Sequence, residues 1–472
     1  MTIIEFHGGA ISGEISPPPS KSHTHRALFL ASMAKGKSRI DNCLLSADTL
    51  ATMDACRAMG ASVALDGNMA TIEGGRLSAP SVTVDAKNSG TTMRIFSGIC
   101  SMFDRPVTIT GDESLKKRPM GPLLDALSSC GVHCSSNEGF PPITIQGPNR
   151  GGEVSIRGDV SSQFITSLLL TAPMLDNGSI ITIDGDVVSA PYLDVTTRMM
   201  GLFGADIARE GNVFTVTGGT GYRPYDYTVP ADFSSAAFPM VAAALGGRCV
   251  VKGMDPQDPQ GDKAIVDILR RVGAEVSLIG REALVRKNAL KGCEIDMGSI
   301  PDLFPITAVL LSTAEGDSRL YGAPQLRFKE SDRIETTVRM INDLGGSAEA
   351  TEDGCIIHGK ERLKGGTVDH RGDHRIMMSA AIASIVCEGG VTMKDPECAA
   401  VSYPDFPSAM KSIGLDSEVL RCTSSEKNSD SRFSDGVTDP ASDAYSKASP
   451  KVRRSMRRSS HRRCLSGSPK ER

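Results

Sequence analysis

The chain of 472 residues carries 52 Lys or Arg and 56 Asp or Glu, and 40% of its residues are hydrophobic. This composition is typical of a globular protein, and the length exceeds one typical core, so we expect two large domains. Aromatic residues make up only 4% and tryptophan is absent, which argues against surfaces that stack nucleic-acid bases. No apolar run approaches the roughly 20 residues that cross a bilayer, and no basic region followed by an apolar segment opens the chain. We therefore expect a cytoplasmic protein.

The twelve cysteines are spread along the chain without a Cys-x-x-Cys pair. Cys130 and Cys134 are the nearest neighbours in sequence, and no residues with zinc-ligand spacing accompany them. We expect free thiols in a reducing compartment and no metal site.

The first predicted helix follows three prolines in the stretch PPPSKSHTHRAL, residues 17–28. Lys21, Arg26 and three hydroxyl side chains stand where this helix begins. Free backbone N–H groups and the positive end of the helix dipole make such a start suitable for an anion. The same residues are equally compatible with an ordinary Ser N-cap and solvated basic side chains.

A recurring helix end is the main organisational signal. At six places, apolar residues at helical spacing are followed by a glycine, which is the expected left-handed C-terminal cap. Alternating stretches such as VSIRGD and helical stretches such as QFITSLLLTA indicate that strands are mixed with two helices in each unit. A fixed period implies one structural unit repeated six times. The glycines, separated by 69 to 73 residues, are Gly60, Gly131, Gly204, Gly273, Gly345 and Gly414.

Six such units predict two α/β domains of three units each, with one cleft between them. The change of domain is expected near residues 229–231, where Pro, Gly and Tyr cluster before a new helix. Clefts between domains are where small ligands bind. The stretches AKGKS and GGTGYRP lack the full spacing of a Walker loop and of a dinucleotide fingerprint, so neither nucleotide site is predicted.

Short polar clusters at predicted strand-to-helix junctions carry the candidate binding residues. Cations, hydroxyls and amides far outnumber carboxylates in them, which favours a ligand with several negative charges that Arg can clamp. Each cluster alone is more often a helix cap or a surface charge, but the repetition at equivalent points of the repeat favours binding. The residues are Asn88, Gly90, Thr91, Arg94, Arg118, Ser161, Ser162, Gln163, Ser189, Tyr192, Lys329, Arg333, Asp373, His374 and Arg375.

Two carboxylates stand out among these clusters. Asp302 precedes a long apolar helix in GSIPDLFPITAVLL, and Glu330 lies between Lys329 and Arg333. Asp302 could be a first-turn acid stabilised by the helix dipole, and Glu330 could belong to a surface ion pair. In a cationic cleft, the two would be the available proton carriers.

The C-terminal segment, residues 424–472, is rich in Ser, Asp, Lys and Arg and poor in apolar residues, which predicts disorder. Its last 22 residues contain nine Lys or Arg and one acid. This end could bind RNA, a membrane surface or an acidic partner. Alternatively, it is a solvated appendage that has no part in the main chemistry.

The same motifs, in chain order, resemble the EPSP synthase family, the 3-phosphoshikimate 1-carboxyvinyltransferases. The resemblance extends from residue 1 to about residue 414 and implies two domains, each of three βαβαββ units in a pseudo-threefold arrangement, with the active site in the cleft between them. By the same resemblance, the first domain comprises residues 15–229 and the second comprises residues 1–14 and 230–420. The motifs are PPPSKSHTHRAL, KNSGTTMR, KKRPMGPLLDAL, SSQFITSLLL, SIPDLFP, RFKESDRI, DHRIMM and SYPDF.

The resemblance also implies a reaction. The enolpyruvyl group of phosphoenolpyruvate would pass to the 5-hydroxyl of shikimate 3-phosphate by addition and elimination through a tetrahedral intermediate, as a step of the shikimate pathway. No metal or organic cofactor is implied, and we expect a monomer. Asp302 would take the hydroxyl proton, Glu330 and Lys329 would exchange protons at the other partner, and Lys21 would lie between the substrates.

Substrate contacts carry over residue by residue from the same resemblance. Those expected for phosphoenolpyruvate are Lys21, Gly90, Arg118, Gln163, Arg333 and Arg375, the last two at its carboxylate. Supporting positions are Asn88, Thr91, Arg94, Tyr192 and His374. Those expected for shikimate 3-phosphate are Lys21, Ser22, Arg26, Ser161, Ser162, Gln163, Ser189, Asp302, Gln325 and Lys329.

Two positions depart from the family pattern. Val401 stands where many members carry a Lys that faces the phosphate of phosphoenolpyruvate, and the sequence leaves open whether the nearby Lys394 takes its place. Gln325 stands where Asn is often found. The expected phosphate site is therefore the least defined part of the cleft.

Two other functions remain compatible with parts of the sequence. The sister transferase that acts on UDP-N-acetylglucosamine shares the fold, but it typically has a Cys in the loop before its Arg-Pro, and GDESLKKRP has none. A nucleic-acid-binding function would depend on the basic tail, and the acidic balance of the rest of the chain counts against it.

Overall fold

Six four-stranded sheets and twelve α-helices make up the computed structural model, which describes residues 2–420. The predicted disordered segment, residues 424–472, lies outside the described residues. In every sheet one outer strand runs parallel to its neighbour, and the other two pairings are antiparallel. This repeated topology confirms the predicted α/β fold with a sixfold repeat.

Residues 15–229, here called the first half, contain three of these sheets. Their helices are α1 (Lys21–Met33), α2 (Ala47–Ala58), α3 (Gly90–Cys100), α4 (Gly121–Ser129), α5 (Ser162–Thr171) and α6 (Pro191–Leu202). Their strands, in sheet order, are β14 (Tyr227–Thr228), β3 (Gly36–Asp41), β5 (Met69–Gly74) and β4 (Ser62–Asp66); β6 (Val84–Asp85), β7 (Val107–Thr110), β9 (Phe140–Gln146) and β8 (His133–Asn137); β10 (Gly152–Arg157), β11 (Ser179–Asp184), β13 (Val213–Val216) and β12 (Ile207–Glu210).

Residues 2–14 and 230–420, the second half, contain the other three sheets, except for Ile15, which ends β2 and pairs with Val251 of β15. Their helices are α7 (Phe233–Gly246), α8 (Ile265–Val272), α9 (Phe304–Leu311), α10 (Arg333–Asp343), α11 (His374–Ala383) and α12 (Phe406–Lys411). Their strands, in sheet order, are β2 (Glu14–Ile15), β15 (Arg248–Lys252), β17 (Glu282–Arg286) and β16 (Glu275–Ile279); β18 (Glu294–Asp296), β19 (Asp317–Tyr321), β21 (Cys355–His358) and β20 (Ala348–Ala350); β22 (Gly366–Val368), β23 (Val391–Lys394), β1 (Ile3–Gly8) and β24 (Asp416–Leu420).

Central helices are enclosed by the sheets. All eight residues of α9 are buried, and in α7 every residue before Gly246 is buried. Strands such as β17 instead alternate between buried and more exposed residues. Helices that are apolar all round are buried helices, and alternating strands cover a core on one face.

The buried apolar side chains form two clusters. One draws its members from residues 27–229, and the other from residues 4–15 and 233–415. Two separate cores in one chain are expected at this length, because a single core stops growing beyond about 250 to 300 residues. The finer domain bounds, 15–229 against 1–14 with 230–420, stay predictions.

The six glycines of the predicted repeat end their helices as expected. Each has a φ between +82° and +106°. A side chain with a Cβ seldom adopts this left-handed conformation, so glycine lets the chain turn back from the helix into the next strand.

The chain crosses between the halves twice, and the two crossing segments lie side by side. Pro19 and Ala231 form an antiparallel bridge, the Ser20 N–H donates to the Pro230 carbonyl at 2.8 Å, and the Asp232 N–H donates to the Pro18 carbonyl at 3.0 Å. The starts of α1 and α7 are thereby brought together. Within residues 2–420, no helix is both long and apolar enough to cross a membrane.

Candidate active site between the two halves

A cleft between the halves brings the predicted site residues together. It contains about 1050 Å³ of space free of protein atoms, part of it open to solvent. Every residue that the sequence analysis placed at a substrate or in a supporting position lines this cleft. From the first half these are Lys21, Ser22, Arg26, Asn88, Gly90, Thr91, Arg94, Arg118, Ser161, Ser162, Gln163, Ser189 and Tyr192, and from the second half Asp302, Gln325, Lys329, Glu330, Arg333, His374 and Arg375.

Of the helices that begin at the cleft, five have a predicted site residue as their first residue. Helix starts carry free N–H groups and partial positive charge, so five of them in one cleft favour anions. Two of the polar residues that the sequence placed at junctions are also caps, since Ser161 accepts from the Gln163 N–H and Asp373 from the Arg375 N–H. The first residues are Lys21, Gly90, Ser162, Arg333 and His374.

The start of α1 does not have the ordinary Ser cap that its sequence allowed. Ser20 occupies the N-cap position but accepts no hydrogen bond from a helix N–H, and its hydroxyl instead contacts His23 Nδ1 at 3.1 Å. Lys21 Nζ donates to Asp48 Oδ2 at 3.0 Å. Asp48 lies in the first turn of α2 and is buried, so a partly buried ion pair fixes the Lys21 ammonium at the cleft wall.

Arg26 is held in place by its neighbours on three sides. Its Nε donates to Thr196 Oγ1 at 2.8 Å, Nη1 to the Ser22 carbonyl at 2.9 Å and Nη2 to Thr166 Oγ1 at 3.3 Å. Burial lowers the pKa of Arg26 to about 10, so the side chain is still charged at neutral pH. The packing of α1 against α6 and the hydrogen bond to Thr166 of α5 therefore set the position of this cation.

A polar network joins α3 to α5 on the first-half side of the cleft. Arg94 Nη1 donates to Gln163 Oε1 at 2.8 Å, and Gln163 Nε2 donates to Thr91 Oγ1 at 2.9 Å. The guanidinium of Arg94 also lies over the Phe164 ring, 5.2 Å from its centroid. These contacts orient the Gln163 amide, whose oxygen faces a cation and whose nitrogen faces a hydroxyl.

Arg118 approaches the backbone at the start of α3. A Cβ on Gly90 would lie 3.3 Å from Arg118 Nη1, so any larger side chain there would press against the guanidinium. Arg118 Nη2 donates to Asn88 Oδ1 at 2.7 Å, while its Nε has no hydrogen-bond partner within residues 2–420. Gly90 thus leaves room for Arg118 beside the free N–H groups of the helix start.

Arg333 is the centre of a carboxylate cluster in the second half. It is 1% exposed, and it donates to Asp373 Oδ2 at 2.9 Å, to Asp302 Oδ1 at 3.0 Å and to Glu330 Oε2 at 2.6 Å. These three carboxylates raise its pKa against the opposing effect of burial. Arg333 is therefore a permanent, rigidly held cation.

Asp302 lies where the two halves meet. Arg375 Nη2 donates to its Oδ2 at 3.1 Å, and the Tyr192 hydroxyl of the first half lies 3.4 Å from the same oxygen. Burial alone would raise the pKa of this carboxyl, but Arg375, Lys329 and Arg333 outweigh it and hold the pKa well below its usual range. Asp302 is ionised and acts as an acceptor at neutral pH.

Glu330 is the second carboxylate that faces both halves. Its Oε1 lies 3.7 Å from Arg118 Nη1 of the first half, and its Oε2 accepts from Arg333. Burial opposes ionisation, but Arg333 and Arg118 lower the pKa of Glu330 well below its usual range. For the adjacent Lys329, burial lowers the pKa of the ammonium. An ionised acceptor and a weakened ammonium thus stand side by side.

Ser189 and Gln325 meet at one backbone carbonyl of the second half. The Ser189 N–H and Gln325 Nε2 contact the Gly298 carbonyl at 3.1 and 3.3 Å. Ser189 has a φ of +56°, a strained conformation for a residue other than glycine. Such strain persists where surrounding contacts hold it, and here one of those contacts crosses the cleft.

Several residues that line the cleft were not singled out from the sequence. Asp48, Asp232, Ser234, Phe328 and Ser402 belong to this group. Asp232 had a local signal, because Asp before an apolar helix is a common N-cap, and it caps α7. The sequence gives no comparable local signal for the other four, whose positions at the cleft depend on how distant elements pack.

The departure at Val401 is partly resolved by the structure. Val401 ends a 3-10 helix, residues 396–401, and does not line the cleft, whereas its neighbour Ser402 does. Lys394 is an exposed residue of β23 away from the cleft, so it does not take the place of the expected Lys. Among residues 2–420, no group of three or more His, Cys, Asp or Glu could hold a metal ion.

Comparison with known proteins identifies the family. The family model described as EPSP synthase (3-phosphoshikimate 1-carboxyvinyltransferase) matches residues 7–410. A protein of that name from Methanocorpusculum labreanum is 48% identical over 86% of this chain and 97% of its own length. One from Nitrosopumilus maritimus is 42% identical over 86% of this chain and 96% of its own length.

Solved structures give the same result. The EPSP synthase of Acinetobacter baumannii is 30% identical to this chain and superposes with a TM-score of 0.77, over 89% of this chain and all of its own. The family match, the relatives and the two-domain architecture agree, and the chain belongs to the EPSP synthase family.

Proposed function

We propose that this protein transfers the enolpyruvyl group of phosphoenolpyruvate to the 5-hydroxyl of shikimate 3-phosphate, releasing phosphate. The observation that carries this proposal is the convergence of cations from both halves on one cleft that also holds two ionised carboxylates. Two substrates with several negative charges need such a site, because arginine pairs with carboxylate and phosphate through parallel hydrogen bonds.

Phosphoenolpyruvate would lie between Arg118 and the arginine pair Arg333 and Arg375. Arg118, beside the free N–H groups at Gly90, suits a phosphate group. Arg333 and Arg375 are buried and both contact Asp302. A substrate carboxylate at these arginines would compete with Asp302 for their hydrogen bonds, which would raise the basicity of Asp302 once substrate is bound.

Shikimate 3-phosphate would occupy the side of the cleft formed by α1, α5 and α6. The hydroxyls of Ser161, Ser162 and Ser189 would donate to its phosphate, and Ser22 and Arg26 would donate to its carboxylate. Gln163, oriented by Arg94, would lie against the ring. Lys21 would stand between the two substrates, held there by Asp48.

The reaction needs one proton acceptor and one proton donor. In the addition step the 5-hydroxyl oxygen bonds to C2 of phosphoenolpyruvate, its proton passes to Asp302, and a proton adds to C3. In the elimination step C3 loses a proton, the bond from C2 to the phosphate oxygen breaks, and the departing phosphate takes up a proton and leaves as hydrogen phosphate. Release of the hydroxyl proton from Asp302 restores its carboxylate. Lys329 and Glu330 would exchange the C3 proton, and the lowered pKa of Lys329 makes it a better proton donor than an ordinary lysine.

Three further expectations are part of the proposal. The protein works without a metal or organic cofactor, it is a monomer, and it is cytoplasmic. Each stays a prediction from the sequence. The basic tail, residues 424–472, is given no part in this chemistry.

Product identification tests the function. Purified protein is incubated with phosphoenolpyruvate and shikimate 3-phosphate, and the product is identified by mass spectrometry and by the vinylic proton signals of the enol ether. UDP-N-acetylglucosamine serves as the alternative acceptor in a parallel reaction. We expect an enol ether only in the reaction that contains shikimate 3-phosphate as the acceptor. Enolpyruvyl transfer to the sugar nucleotide instead would overturn the proposal.

A further inference from the structure

Ser402 and His374 are two buried polar residues of the cleft wall. Each side chain is 2% exposed, and both line the cleft. Neither the Ser402 hydroxyl nor either ring nitrogen of His374 has a hydrogen-bond partner within residues 2–420. Buried polar groups without partners destabilise a fold, so they are kept where a ligand or ordered water satisfies them.

The two residues come from elements that pack against each other. His374 is the first residue of α11, and Ser402 directly follows the 3-10 helix 396–401, which packs against α11. The same 3-10 helix contacts α2 of the first half, the helix that carries Asp48, the partner of Lys21. Burial, followed by the nearby Lys21, lowers the pKa of His374 well below its ordinary value, so its ring is neutral at pH 7.

We propose that Ser402 and His374 bind the phosphate of phosphoenolpyruvate as neutral hydrogen-bond donors, completing a subsite with Lys21. This inference rests on the proposed function. The phosphate is favoured over the carboxylate because the carboxylate already has the buried arginines Arg333 and Arg375. One hydroxyl and one ring N–H would donate to phosphate oxygens without adding charge to a wall that already holds an ion pair.

Ser402→Ala is the test, and Ser379→Ala is its matched control. Ser379 is also buried, and its hydroxyl also has no partner within residues 2–420, but it does not line the cleft. We expect Ser402→Ala to raise the KM for phosphoenolpyruvate about tenfold, which corresponds to about 1.4 kcal/mol. The KM for shikimate 3-phosphate should stay within twofold of wild type. Ser402→Thr, which keeps the hydroxyl, should restore the wild-type value.

Inorganic phosphate is a second probe of the same subsite. As a product, it should inhibit competitively with phosphoenolpyruvate, and Ser402→Ala should weaken this inhibition by the same factor as it raises KM. Equal changes in both KM values, or the same change in Ser379→Ala, would overturn the inference. Wild-type protein without any enolpyruvyl transfer would instead refute the proposed function, so the two failures are distinguishable.

Discussion

The carboxyl group of Asp262 gives a prediction about stability that can be worked out from its surroundings. Asp262 lies in a 3-10 helix (Gly261–Ala264) and is 2% exposed; one carboxyl oxygen accepts from the Ser234 hydroxyl, and the other has no partner among the described residues. Burial, followed by the negative charge of Asp302, raises the pKa of Asp262 to about 7. The folded protein therefore binds a proton here that the unfolded chain has released by neutral pH.

Because of this difference in proton binding, the free energy of unfolding depends on pH. The stabilising effect of a raised carboxyl pKa is complete below the unfolded value of about 3.8 and is lost as the pH rises to about 7. Between pH 5 and pH 7 the free energy of unfolding should therefore fall by about 2 kcal/mol, because each pKa unit corresponds to about 1.4 kcal/mol. Asp262→Asn keeps the shape and the acceptor oxygen but cannot ionise, so it should become more stable than wild type by about this amount over that interval.

Urea unfolding at pH 5, 6, 7 and 8, followed by circular dichroism, measures the effect. Asp66→Asn in β4, where the side chain is exposed, is the control for loss of a carboxyl charge. We expect the difference between Asp262→Asn and wild type to grow with pH and that of the control to stay flat. Parallel pH profiles for Asp262→Asn and wild type would refute the reasoning.

Three variants test the cleft. Asp302→Asn should lower kcat by about two to four orders of magnitude, because it removes the proton acceptor, while the Kd for shikimate 3-phosphate measured by calorimetry changes little; normal turnover would remove Asp302 as the base. Arg118→Ala should raise the KM for phosphoenolpyruvate at least about tenfold, since hydrogen bonds to charged groups are worth about 1.5 to 3 kcal/mol, and equal effects on both substrates would argue against its assignment. A chain that ends at Leu420 should keep wild-type kcat and KM, as all cleft residues precede it; loss of activity would show that the tail takes part.

The repeat was predictable because its signal is local. A glycine at a helix end is required by the backbone conformation there, and the same requirement recurs in each unit, as at Gly60 and Gly273. The pattern of polar residues at strand-to-helix junctions indicated binding, and the resemblance implied that these residues share one cleft, where the structure brings them together.

The interactions among those residues were not predictable from the sequence. Arg333 pairs with Asp302 and Asp373, residues 31 and 40 positions away, and Lys21 pairs with Asp48 across two helices. Such contacts depend on how separate elements pack, and no local pattern encodes that. Ser402, the first residue of the SYPDF motif, was not singled out for the same reason, because its role shows only when the fold buries it without a partner among residues 2–420.

Release of inorganic phosphate tests the central claim most directly. Purified protein is supplied with phosphoenolpyruvate alone, with shikimate 3-phosphate alone and with both, and phosphate is followed continuously by a coupled assay. If the two halves hold both substrates together in one cleft, phosphate is released only when both substrates are present. One phosphate is then released for each enol ether formed. Release from phosphoenolpyruvate alone at the same rate, or none with both substrates, would contradict this account.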